Sequence, residues 1–219
     1  MARALGILLA GVTLLSGVSQ AAPNDHGGDA LSRLLAGNRR YVAGTITHPN
    51  QTAGRRRAVA NGQHPFAIIL GCSDSRVPPE VVFDQGLGDL FVVRVAGNIA
   101  EPATLASIEY AAEHIGVGLV VVLGHSRCGA VDAALKGGDA PGHIAALVTA
   151  IAPAVEQTRD QPGDRLDNAV KANAELVAEQ LRTSDPLLSH LVQDGKLRIV
   201  AARYDLDSGK VDVLPSRSN

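Results

Sequence analysis

The chain contains no tryptophan, one methionine, three phenylalanines and three tyrosines in 219 residues. Large rings cannot build its interior, so the core has to come from Ala, Val, Leu and Ile, a composition that suits helices packed on a small sheet. There are only two cysteines, Cys72 and Cys128, too few to form a disulfide framework. With 46% hydrophobic residues, the chain is long enough to bury one substantial core without one. A strong charge of either sign is also missing: 20 Lys and Arg against 22 Asp and Glu leave a net charge of -2. This balance gives no electrostatic footprint for nucleic acid, and the one basic run, Arg55-Arg56-Arg57, reads as a solvated helix face.

Nor is there an apolar run of the roughly 20 residues that a bilayer requires. The stretch from Ala4 to Leu15 is shorter. It follows the positive Arg3 and precedes the small residues Ser19 and Ala21, so residues 1–21 read as a signal peptide cleaved after Ala21. No cysteine lies near that site and Arg3 has no arginine partner, which argues against a lipid anchor and a twin-arginine signal. The expectation is a periplasmic or secreted protein with no membrane anchor: a linker over 22–28, then a single catalytic domain over 29–219.

Hydrophobic periodicity predicts an α/β fold. Asp29 caps a helix with Leu31, Leu34, Leu35 and Val42 near one face, and a second helix is expected over 51–61. Short continuous apolar runs at 66–71, 90–95, 118–123 and 197–202 predict four strands covered on both faces. Between them lie helical patterns through Leu105, Ile108, Ala112 and Ile115, through Ile144 to Val155 with a kink at Pro153, and through Leu166 to Leu181. A last helix restarts at Ser184-Asp185-Pro186 and closes at Gly195. Strands alternating with helices imply a small, mainly parallel sheet with helices on its faces, and 211–214 adds a fifth strand at an edge.

Ligands of open parallel sheets bind beyond the carboxyl ends of the strands. The first strand runs into Gly71-Cys72-Ser73-Asp74-Ser75-Arg76, and the third into Gly124-His125-Ser126-Arg127-Cys128-Gly129. Both cysteines and one histidine are thus expected at the same end of the sheet. Two thiolates and one imidazole suit zinc, and three protein ligands leave a fourth position for water or substrate, the mark of a catalytic rather than structural site. Two cysteines in an exported chain also suit a disulfide. That pairing, however, would leave His125, Asp74 and Arg76 without a use, whereas the metal reading employs all five residues.

The segments CSDSR and, about fifty residues later, GHSRCG resemble the paired signature of β-class carbonic anhydrases. The likeness extends through PFAIILGCSDSRVPPEVVFDQGLGDLFVVRVAGN, ASIEYAA and VVVLGHSRCGA, roughly residues 60 to 135. It implies one zinc per chain on Cys72, His125 and Cys128, and a catalytic pair of Asp74 and Arg76. It also implies substrate-side positions at Gln63, Phe91 and Gly129. The implied reaction is reversible hydration of carbon dioxide to bicarbonate and a proton by zinc-bound hydroxide. Asp74 orients that hydroxide, Arg76 keeps Asp74 ionised, and in a closed state Asp74 itself becomes the fourth ligand. The family further implies a homodimer or dimer of dimers, with the N-terminal helices packing on the partner subunit. The lack of tryptophan, together with Gln63, is similar to the subgroup without a bicarbonate-regulatory pocket. Alternatives on the same residues are hydrolysis of carbon disulfide or carbonyl sulfide, and a non-catalytic zinc-binding scaffold.

Overall fold

The computed structural model describes residues 26–215. The expected signal peptide lies outside the described residues. Helix α1 (His26–Val42) begins ahead of the expected cap, so that Asp29 sits inside its first turn, and helix α2 (Ala53–Ala58) has only six residues. The expected helix over 51–61 is shortened because α2 buries no side chain: Thr52 caps it, but its three arginines leave it no apolar face to dock.

Strand β1 (Ala67–Gly71) is followed by α3 (Pro79–Val82), β2 (Leu90–Arg94), a 3-10 turn over Ala96–Asn98, and α4 (Pro102–Glu109). Then come β3 (Leu119–His125), α5 (Gly129–Lys136), α6 (Ile144–Gln157) and α7 (Arg165–Arg182). The chain closes with α8 (Leu187–Gln193), β4 (Arg198–Tyr204) and β5 (Val211–Val213). The sheet order is β2-β1-β3-β4-β5, parallel throughout except for the antiparallel β5. Helix α6 continues through Pro153, and among the described residues no helix is long and apolar enough to cross a membrane.

Every residue of β1 and β3 is buried, as continuous apolar runs predict. Alternate residues feed two clusters. Ile68, Leu70, Val120 and Val122 face α4, α7 and α8, while Ile69, Val121 and Leu123 face α1 and Phe83. β2 departs from expectation: as the outer strand of the sheet it is only half-buried, although Leu90-Phe91-Val92-Val93 is as apolar as β1.

The N-terminal arm is tied down by two buried carboxylates. Asp84 accepts from Arg40 Nε at 2.6 Å and from the Thr47 and His48 backbone, and Asp89 accepts from Arg33, Asn50 and the Gly86 amide. Burial raises the Asp84 carboxyl's pKa, but its donors prevail and hold it at about 2. Gly37 lets α1 approach closely, since a Cβ there would stand 1.8 Å from the Phe83 carbonyl oxygen.

Candidate metal centre

The chain runs from β1 to β2 on one side of the sheet and returns to β3 on the other, so β1 and β3 flank the point where the strand order reverses. Gly71 pairs with Leu123 in the parallel register, which sets Cys72, just past β1, beside the carboxyl end of β3 that carries His125. The Cys72, His125 and Cys128 donor atoms all lie within 4.8 Å of one another, and all three side chains are buried.

The donor set fits a metal ion in detail. His125 Nδ1 lies 3.0 Å from the Ser126 carbonyl oxygen, an acceptor only, so Nδ1 carries the proton and the lone pair belongs to Nε2. Among the described residues His125 Nε2 is buried without a hydrogen-bond partner, a costly arrangement unless a metal ion takes that lone pair. The cysteines are free thiols with Sγ atoms 3.9 Å apart, far beyond the roughly 2.05 Å of a disulfide. The hydrogen bond from Cys128 and the nearness of His125 draw the Cys72 thiol well below its ordinary range, while the same contact and burial push Cys128 up. Cys128 also caps α5, whose first N–H groups, at Ala130 and Val131, favour its thiolate.

Asp74 stands over the open side. Its Oδ2 lies 3.8 Å from His125 Nε2, and Arg76 grips both carboxylate oxygens, Nε to Oδ1 at 2.9 Å and an Nη to Oδ2 at 2.7 Å. Those hydrogen bonds hold the Asp74 carboxyl far below the usual carboxylate range, against a smaller opposing effect of burial. Asp74 is thus engaged by Arg76 through both of its oxygens.

Arg94, at the end of β2, donates to the carbonyls of Cys72 at 2.9 Å and Asp74 at 2.6 Å and so clamps the loop backbone. Arg127, bidentate to Asp207 at 2.7 and 2.8 Å, fastens the second loop to the β4–β5 turn. Neither clamp is legible in sequence, because each depends on a strand neighbour or turn distant along the chain.

The predicted substrate-side residues are dispersed within one chain. Gly129 opens α5 beside the ligands, in space that a Cβ would enter without contact. Gln63 is exposed on the segment before β1 and makes no hydrogen bond within the described residues. Phe91 pairs with Ile68 in register, three residues back from the end of β2, and its ring lies 6.5 Å from that of Tyr110.

An open, mainly parallel α/β sheet carrying a three-ligand thiolate and imidazole centre at its switch point defines a metalloenzyme with one coordination position left for chemistry. The sequence model of the carbonic anhydrase family matches residues 67–211. The chain is 42% identical over 192 residues to carbonic anhydrase 2 of Mycobacterium tuberculosis, covering 86% of this chain and 93% of that one. It is 39% identical over 195 residues to a carbonic anhydrase of Mycolicibacterium smegmatis, covering 87% and 95%. Among solved structures it resembles a β-carbonic anhydrase of Sordaria macrospora, described as tetrameric, with a TM-score of 0.70 at 28% identity over 85% of this chain and 97% of that one. The chain belongs to the β-class carbonic anhydrases, zinc enzymes that interconvert carbon dioxide and bicarbonate.

Proposed function

We propose that the reversible hydration of carbon dioxide proceeds at Cys72, His125 and Cys128 as zinc ligands, with Asp74, Arg76, Gln63, Phe91 and Gly129 as the working residues around them. The observation that carries this assignment is Asp74, fixed by both its oxygens to Arg76 while facing His125 Nε2 at 3.8 Å. Zinc, when bound, makes water acidic enough to supply a nucleophile near neutral pH.

The chain's own groups then direct the reaction. Asp74, kept ionised by Arg76, can only accept hydrogen bonds, so it accepts one from the O–H of the attacking oxygen and thereby turns a lone pair toward carbon dioxide. The Gln63 amide donates to the oxygen on which charge develops. Gly129 leaves room for substrate beside Cys128.

Gln63 is exposed and Phe91 stands in register with Ile68, four residues before Cys72, which supports a homodimer, or a dimer of dimers, in which a neighbouring copy completes each site. The half-buried outer strand β2 and the exposed Val81 and Leu87 support the same face for that contact. Lack of the regulatory tryptophan supports activity without allosteric control by bicarbonate.

Stopped-flow carbon dioxide hydration by the zinc-loaded mature protein, with carbon disulfide offered in parallel, tests the reaction. Hydration of carbon dioxide is expected. Turnover of carbon disulfide alone would replace the substrate, and no turnover of either would leave a zinc-binding scaffold.

The reading of residues 1–21 as a signal peptide supports export to the periplasm or medium. Mass spectrometry of the active protein from that fraction should find a chain beginning near Ala22. Active protein retaining residues 1–21 in the cytosol would overturn export.

A further inference from the structure

We infer that Asn173 is a positioning residue for the metal centre, acting through Gly97 to hold a backbone N–H against the Cys72 thiolate. The inward side of α7 is otherwise largely apolar, with Ala169, Val170, Ala174, Val177, Ala178 and Leu181 all buried. Asn173 interrupts that side at 2% exposure. An amide placed there is costly unless it is hydrogen-bonded. Its Nδ2 donates at 2.8 Å to the carbonyl oxygen of Gly97.

Gly97 lies in the turn after β2, and its own N–H donates at 3.3 Å to Cys72 Sγ. The turn is held from two sides. Asn173 grips the Gly97 carbonyl, and a Cβ at residue 97 would stand 2.7 Å from Ile151 Cδ1 and 3.3 Å from Ala130 Cβ. With φ at +73°, the residue is confined to a conformation that glycine adopts without strain. One buried amide on α7 therefore fixes where the N–H meets the sulfur.

The chemical consequence follows from ligand charge. Two thiolates donate more negative charge to a metal than two imidazoles, which lowers its power to acidify water. An N–H···S hydrogen bond withdraws part of that charge, and it also orients Cys72 for coordination. Loss of the Asn173 amide frees the turn to carry its N–H away from the sulfur.

The inference rests on Cys72 being a metal ligand, and the two can fail separately. Wild type, Asn173→Leu and Asn173→Ala are loaded with cobalt(II) beside Val177→Ala, a truncation on the same helix that removes no hydrogen bond to the turn. In both Asn173 variants the thiolate-to-cobalt charge-transfer band should move to lower energy, and the zinc Kd should rise about 10-fold. The activity midpoint should move to higher pH. Val177→Ala should lose thermal stability with its band unmoved. Folded Asn173 variants with wild-type band and affinity would overturn the inference. A measurement on wild type alone stands even where the variants do not fold: loaded with an NMR-active cadmium isotope, it should show scalar coupling between the metal and the Gly97 amide proton through the sulfur. Absence of that coupling in cadmium-loaded protein overturns the inference while leaving the metal site intact. A wild type that binds neither cobalt nor cadmium overturns both.

Discussion

Cys72→Ala is expected to lose both metal and activity: zinc should fall from about one per chain to less than about a tenth, and hydration should fall by more than about 10³-fold. The three donors form one closely spaced, buried cluster, and two donors remaining around a site built for three hold zinc poorly. The loss should not reflect unfolding. Cys72 lies beyond the end of β1 in a smaller buried cluster with Ile99, Val131 and Ile151, outside the two clusters that cover the sheet faces, and thermal unfolding of the variant separates loss of metal from loss of fold. Metal analysis, activity and thermal unfolding on the same preparation check the prediction. An active, zinc-free wild type with Cys72 and Cys128 joined as a disulfide would contradict it, as would a Cys72→Ala variant that keeps its metal.

Asp74→Asn and Arg76→Ala should both lower activity, by different routes. Asparagine keeps the shape of Asp74 but presents an amide, so it no longer accepts with both oxygens, and a loss of about 10²-fold is expected. Arg76→Ala removes the two side-chain hydrogen bonds that hold the Asp74 carboxylate and leaves only the backbone N–H of residue 76, 2.9 Å from Oδ1. With its oxygen already 3.8 Å from His125 Nε2, the freed carboxylate needs only a small loop movement to take the fourth coordination position.

The pH dependence then has a definite sign. Arg76 lowers the Asp74 pKa below its ordinary value of 3.8, and without Arg76 it returns upward toward that value, so the carboxylate remains ionised near neutrality in both proteins. What changes on acidification is hydroxide, which becomes scarcer and competes less well with the carboxylate. Activity should therefore fall toward low pH, and Arg76→Ala should begin to lose activity at a higher pH than wild type. Crystal structures of both zinc-loaded variants at acid pH provide the check. Asp74 on the metal is expected in Arg76→Ala and no side chain at that position in Asp74→Asn; an Asp74 still pointing away in Arg76→Ala would rule the gate out.

Much of the centre was legible because its parts are local. Each loop is a glycine and a donor at the end of an apolar run, and Asp74 and Arg76 lie two residues apart. What was not legible depends on neighbours remote in sequence. The exposure of β2 follows from its place at the sheet's edge, which Leu90-Phe91-Val92-Val93 cannot reveal. Helix α5 was not anticipated, because Gly129-Ala130-Val131-Asp132 begins with a residue that propensity places outside helices. Asn173 did leave a signal, a polar residue within the apolar spacing of Val170, Ala174 and Val177, but the spacing alone names no partner for it.

By itself, the sequence determined the α/β class, the four parallel strands and the convergence of Cys72, His125 and Cys128, since apolar periodicity sets strand identity and parallel strands bring their carboxyl ends to one side. The tertiary structure alone decided that Arg94 and Arg127 clamp the two loops, and that Asn173 reaches Gly97 across 76 positions of chain. The physical reason is range: periodicity records which face of each element is apolar, whereas a directional hydrogen bond between distant residues exists only once the packed elements have fixed both its ends.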